Sequence, residues 1–126
     1  MDVRIEKKGT VGVVTLTGPL SAVSADSFRD QFLQWWDAAP EIRNVVMDLA
    51  NVEFMDSSGL GALIALLKRV ADRGGDLRLC GIQKKVRLVF EITRAHRVFE
   101  ILDTQDGAVA SFYGMDQARP CDGRKM

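Results

Sequence analysis

The chain is poor in the residues that most enzymes and metal sites depend on. Among its 126 residues it has one histidine, His96, and two cysteines, Cys80 and Cys121. A serine triad therefore has a single candidate base, and that base stands between Arg94 and Arg97 in an expected loop, where surface exposure is its ordinary state. Two distant cysteines without a Cys-x-x-Cys pair build neither a disulfide framework nor a zinc site, and both are read as reduced thiols. No cluster of His, Cys and acids has metal-ligand spacing, so no metal and no cofactor is expected. An excess of charge is missing too: seventeen basic and seventeen acidic side chains cancel, leaving no net field toward nucleic acid or an anionic membrane. No apolar run approaches the roughly 20 residues that cross a bilayer. The opening MDVRIEKKG is charged and lacks the apolar stretch of a secretory signal. These absences exclude a membrane-inserted or disulfide-stapled protein and point to the cytoplasm. The 47% hydrophobic and 27% charged content is that of one compact globular domain.

What is present is an alternation of periods. Residues 3–7 and 11–17 read as two strands around a Lys8-Gly9-Thr10 turn, and the near-continuous VGVVTLT suits a strand covered on both sides. Gly18-Pro19 breaks the run. Ala25, Phe28, Phe32, Trp35, Trp36 and Ala39 then recur at spacings of three and four, one apolar helix face with both tryptophans in the core. Ser24 is the expected N-cap, Asp26 and Asp30 favour the positive end of the dipole, and Pro40 ends the helix. Val45–Leu49 reads as a central strand. Leu60, Leu63, Ile64, Leu67, Val70 and Ala71 make a second helix face, with Lys68, Arg69 and Arg73 toward its C-terminal end and Gly74-Gly75 as its stop. Leu77–Cys80 is a strand; Ile82, Val86, Val89, Phe90 and Thr93 mark a third helix. Val98–Leu102 is a last strand, and Ala108–Tyr113 a final helical turn. Strands alternating with helices predict one α/β domain with a largely parallel sheet and an edge hairpin. The polar, aperiodic GMDQARPCDGRKM, residues 114–126, is expected to be a mobile tail.

The junction MDSSGLG, residues 55–61, holds more than a helix start needs. One Asp or Ser oxygen suffices to cap unpaired N–H groups, yet Asp56, Ser57 and Ser58 all stand there. Gly59 and Gly61 follow in the first turn, where each costs up to about 1 kcal/mol relative to alanine and bares the backbone to a close neighbour. The small-then-apolar face Gly59–Ala62–Leu66 reads as a docking surface opposite much of the core stripe. A serine at this end is expected to be exposed, and a phosphate on it would meet free N–H groups and the positive dipole end. Enzyme motifs do not fit: the stretch is not G-x-S-x-G, no Walker A pattern is present, and Gly59-Leu60-Gly61 lacks a third glycine.

The run VVMDLANVEFMDSSGLGALIALLKRVADRGGDLRLCGIQKKVRLVFEITRAHRVFEILDT, residues 45–104, resembles a STAS domain, and more narrowly the bacterial anti-sigma factor antagonists. The element that carries the resemblance is a strand reaching Asp48, a short link, and Asp56-Ser57-Ser58-Gly59-Leu60-Gly61 opening a helix. The Gly74-Gly75 turn, Leu77-Arg78-Leu79 and Ile92-Thr93 through Ile101 also fit. The fold implied is a single STAS-like α/β domain over residues 1–113, with a mostly parallel sheet of about five strands and an edge hairpin against three to four helices.

The resemblance implies a partner switch in which this chain is not itself an enzyme. Unphosphorylated, such an antagonist binds an anti-sigma factor that is also a serine kinase of the GHKL ATPase type, which frees the sigma factor. The kinase phosphorylates the second serine of the motif, here Ser58, and a PP2C-like phosphatase resets the cycle. Asp56 would orient the loop and Ser57 would cap or position the hydroxyl. Gly59, Leu60, Gly61, Ala62 and Leu66 would admit the partner, with Ser21 at the same end. Where relatives carry an acidic Gly-Glu-Leu-Asp-like segment, this chain has Gly18-Pro19-Leu20-Ser21, with neither acid. The free chain is expected to be a monomer. A second reading is a STAS regulatory subunit of a membrane transporter, for example in lipid transport, docking through the same helix face without phosphorylation. A third, sensing of a small molecule or nucleotide near the junction, ranks lowest, because residues 51–67 hold no Lys or Arg to grip phosphates.

Overall fold

Five β-branched residues, a glycine and a leucine in VGVVTLT form a strand because both of its faces are covered, and this strand organises the domain. The computed structural model describes residues 1–113; the expected tail over 114–126, with Cys121, lies outside the described residues. Strand β1 (Asp2–Lys8) pairs antiparallel with β2 (Val11–Thr17) across a tight turn, and Ile5 faces Val14 in the register. Helix α1 (Ala25–Ala38) leads to β3 (Asn44–Asn51), and α2 (Ser57–Asp72) to β4 (Leu77–Cys80). Helix α3 (Lys84–Ile92) and a 3-10 turn at Ala95–Arg97 lead to β5 (Glu100–Leu102), followed by α4 (Gln105–Ala110). The α/β alternation, the edge hairpin and the parallel remainder all stand as the sequence predicts.

The sheet order is β1-β2-β3-β4-β5, with every pair after the hairpin parallel. Right-handed crossovers that always step in one direction place their helices on one face. Accordingly α1, α2 and α3 share a core with Val14, Leu16, Met47, Leu49 and Leu79 of the strands. Phe28, Phe32 and Phe90 are fully buried there, each contributing about 1.5–3 kcal/mol relative to exposure. Trp36 is buried and stacks on Phe32, while Trp35 is only partly buried against the same core.

The opposite face carries the smaller cluster of Val11, Val13, Val46, Cys80 and Ala108, closed by α4. Arg78 pins that cover: its guanidinium donates to Asp76 and to the Ser111 carbonyl and hydroxyl, and lies over the Phe112 ring. The Tyr113 hydroxyl donates to the Lys8 carbonyl at 2.8 Å and accepts from Thr10 N–H at 3.1 Å, tying the C-terminal turn to the first hairpin.

Two expected helix ends differ from the sequence reading. Ser24 precedes α1 without capping it; its hydroxyl donates to the Pro19 carbonyl and accepts from Ser21 N–H, so it orders the preceding loop instead. Arg73 follows α2 but serves α1. Its guanidinium stacks 3.6 Å from the Trp36 ring centroid and donates to the carbonyls of Trp36, Ala39 and Ile42, adding charge-assisted bonds to the turn that follows α1.

Candidate functional site

Because β2 and β3 are parallel neighbours, the segments that leave them, 18–24 and 51–56, emerge side by side. They are laced together by backbone bonds: Gly18 N–H to Asn51, Leu20 N–H to Phe54 at 2.9 Å, and Asp56 N–H back to Leu20. Asp56 completes the clasp. Its Oδ1 accepts from Ser58 and Gly59 N–H at 3.0 Å each, and its Oδ2 accepts from Ala22 N–H at 3.1 Å. One carboxylate thus caps α2 and fixes the neighbouring loop. The Gly59 N–H foremost, with those of Ala22 and Ser58, holds this carboxyl below its ordinary value of 3.8 against an opposing cost of desolvation.

The glycines divide the labour. A Cβ on Gly59 would fall inside contact distance of the Leu20 carbonyl, so this glycine admits the chain's own backbone. Gly61 is exposed and a Cβ there meets nothing. The expected docking face Gly59–Ala62–Leu66 is corrected here: Gly59, Leu60, Ala62 and Leu66 are all buried in the core. Helix α2 is covered by both the sheet and α1, so its buried arc is wider than a single stripe, and Ala71, expected inside, is exposed. The side left to solvent runs through Ser57, Ser58, Gly61 and Lys68.

Ser57 does not cap; the N-cap is Asp56, and neither serine hydroxyl has a partner among the described residues. The expectation that a phosphate on Ser58 would find free N–H groups is likewise corrected, since those of Ser58 and Gly59 are already held by Asp56. Ser21 is half-buried and shapes its loop, its hydroxyl accepting from Val23 N–H and its carbonyl from Ser24 and Ala25 N–H. Sequence reasoning missed two residues: Val23 is 93% exposed and Phe54 is 54% exposed. They lie on the two laced loops beside buried Leu20, Val52 and Met55, and nothing in the apolar pattern of those loops separates the exposed residues from the buried ones. The loop that carries Val23 is fastened at Ala22 to Asp56, the residue before Ser57 and Ser58, and Val23 also lines a surface groove along α1 with Asp26 and Asp30.

His96 is far from this chemistry. It lines an open groove of about 740 Å³ with Asn44, Asp76 and Glu100, at the ends where β3, β4 and β5 begin; the serines follow the other end of β3. Its Nδ1 lies 3.2 Å from the Phe90 carbonyl. Cys80 is buried on the α4 side, and burial, followed by the nearby Asp48 charge, pushes its thiol up to about 12. Among the described residues no group of three or more His, Cys, Asp or Glu could hold a metal ion, and no helix is long and apolar enough to cross a membrane.

Comparison with known proteins agrees with this architecture. The anti-sigma F factor antagonist of Paenibacillus polymyxa is 28% identical over 112 residues, covering 86% of this chain and 92% of the relative. The anti-sigma-B factor antagonist of Bacillus subtilis is 27% identical over 96 residues, covering 76% and 85%. The anti-sigma factor antagonist SpoIIAA in its unphosphorylated form superposes with a TM-score of 0.69 at 19% identity, over 90% of this chain and 99% of that one. The phosphorylated form of the Bacillus protein gives 0.67 at 20% identity, over 94% and 100%; these two structures share the fold. The family model for the STAS domain matches residues 2–108, and the chain belongs to the STAS domain family.

Proposed function

We propose that this STAS domain is an anti-sigma factor antagonist whose binding is switched at Ser58. The observation that carries the reading is the Ser58 hydroxyl: exposed, without a partner among the described residues, and set on the first turn of a helix whose cap is supplied by a different residue. A serine needed for the fold would be bonded to it. The names of the curated relatives and the phosphorylated SpoIIAA structure support the same reading.

In the unphosphorylated state Ser57, Ser58 and Gly61, with the loops that carry Val23 and Phe54, dock an anti-sigma factor of the GHKL kinase type and free the sigma factor. The switch is a phosphoryl transfer in which Ser58 Oγ bonds to the γ-phosphorus of ATP, the bond to the β-phosphate oxygen breaks, and ADP leaves. The hydroxyl proton passes to a base supplied by the kinase. A PP2C-like phosphatase hydrolyses the ester and resets the cycle. Phosphate brings about −1.5 to −2 charges. The Ser58 and Gly59 N–H groups are committed to Asp56, whose own carboxylate adds repulsion, and residues 51–67 contain no Lys or Arg. Charge and bulk therefore stay on a surface that needs close approach, and release follows without refolding.

The test is calorimetry and phosphopeptide mass spectrometry with the purified cognate kinase. Wild type binds and is phosphorylated at Ser58; Ser58→Ala binds and is not; Ser58→Glu binds on the order of 100-fold more weakly, as like-charge juxtaposition implies. Phosphate found elsewhere, or full affinity in Ser58→Glu, would sink the reading. Capture of one transporter subunit by wild type and Ser58→Glu alike, with no kinase, would favour the transporter role instead.

A further inference from the structure

A net charge of zero conceals a strong local imbalance. Residues 84–98, KKVRLVFEITRAHRV, carry five of the chain's seventeen basic side chains and one of its seventeen acidic ones. Lys84, Lys85, Arg87, Arg94 and Arg97 have no acidic partner among the described residues, and all are exposed except the half-exposed Arg87. The acid is Glu91, also exposed.

The same surface exposes aliphatic side chains. Val86 and Phe90 point α3 into the core, and at 100° per residue the direction opposite them is that of Leu88, with Lys84 and Ile92 one turn to either side. Leu88 is 54% exposed and Ile92 80% exposed. Val98, just beyond the following 3-10 turn, is 55% exposed. Leu88 and Ile92 thus stand on the outward side of α3 among Lys84, Lys85 and Arg87, while Arg97 and Val98, beyond its exit, line the groove that also holds Asp76 and Glu100.

We infer that this α3 face adsorbs to an anionic lipid bilayer. Charge complementarity selects a negative occupant, and three features select a bilayer among negative surfaces. The cations are long side chains that no side-chain bond fixes among the described residues, suited to a diffuse field of headgroups. The apolar groups are aliphatic and protrude from a convex helix, so they can enter the headgroup boundary without a complementary pocket. A basic helix with an aliphatic outer stripe is the pattern of a membrane-surface element, whereas nucleic acid would have no use for Leu88 and Ile92. Binding is peripheral and reversible, since α3 has nine residues and only its outer side chains engage. Ser58 lies on α2 and not on this face, so both surfaces can be occupied at once, and the α3 inference does not depend on the proposed switch.

The test is co-sedimentation of the full chain with phosphatidylcholine vesicles prepared with and without phosphatidylserine. Binding is expected only with phosphatidylserine, falling steeply with added salt. Lys84→Gln/Lys85→Gln weakens it on the order of tenfold or more, and Leu88→Ser/Ile92→Ser weakens it at unchanged charge. Ser58→Glu binds vesicles like wild type. Absence of phosphatidylserine-dependent binding at low salt overturns the inference. So does binding unaffected by Leu88→Ser/Ile92→Ser and matched on heparin, which would mark a general polyanion site. Salt-sensitive self-association without vesicles, abolished by the lysine changes, would assign the face to a second copy of the chain and overturn it equally.

Discussion

The two ends of α2 are fastened by opposite charges, and they leave different things exposed. At the N-terminal end a carboxylate, Asp56, gathers backbone N–H groups from its own helix and from Ala22. At the C-terminal end a guanidinium, Arg73, gathers carbonyls from the last turn of α1 and the segment after it while stacked on Trp36. Each end also has one glycine pressed on foreign backbone, Gly59 on Leu20 and Gly75 on Arg43, and one whose Cβ would meet open space, Gly61 and Gly74. The difference is that the N-terminal end presents hydroxyls, of Ser57 and Ser58, with no partner among the described residues. One end of the helix is built to be fixed, the other to be fixed and still addressed from outside.

The largest effects should come from the two pressed glycines. Gly59→Ala and Gly75→Ala each force a Cβ into a backbone carbonyl and should cost about 3 kcal/mol or more in urea unfolding, at the upper end of overpacking. If either is neutral, the two ends are not held as described. Arg73→Ala should lose about 2 kcal/mol, because three carbonyls forfeit charge-assisted donors; Arg73→Lys should recover less than half, since a point charge cannot serve the fork geometry.

Gly61→Ala should move the other way, raising stability by up to about 1 kcal/mol with no clash to offset it. Asp56→Asn separates the ends by pH. The folded-state pKa of Asp56 lies below 3.8, so its stabilisation is fully present above that pH and is lost as pH falls through the lower folded value. Wild type should exceed Asp56→Asn in urea midpoint at neutral pH, and the two should converge in acid, whereas Arg73→Ala should show no such convergence. The smallest effect belongs to Ser58→Ala: within about 0.5 kcal/mol of wild type in stability, because its hydroxyl bonds to nothing among the described residues.

The alternation of periods made the element order readable, and Gly18-Pro19, Pro40 and Gly74-Gly75 marked its breaks. That the junction holds a helix cap was also readable, because capping is local in sequence, but the cap was expected from Ser57 and comes from Asp56. What escaped is non-local. Ser24 looked like a helix cap, but its bonding partners are Pro19 and Ser21 in a loop that folds back. Arg73 looked like a complement to its own helix dipole, yet its acceptors lie more than thirty residues earlier. The buried face of α2 was misplaced because leucine, isoleucine and alanine surround this helix, and only the positions of α1 and the sheet decide which arc is inside. Phosphorylation, the partner and the sigma factor are relations between molecules, and the motif reaches them only through resemblance.

The sheet's order has a consequence for how the protein is made. Strand order equals chain order, so each parallel strand leaving the ribosome meets an edge that already exists, and the three-helix layer can assemble as synthesis proceeds. The other face cannot. Val11, Val13 and Val46 emerge early but are covered only when α4, Phe112 and Tyr113 arrive. A stall before that point would leave an apolar surface waiting on the nascent chain, a site for a holding chaperone until the last turn closes over it.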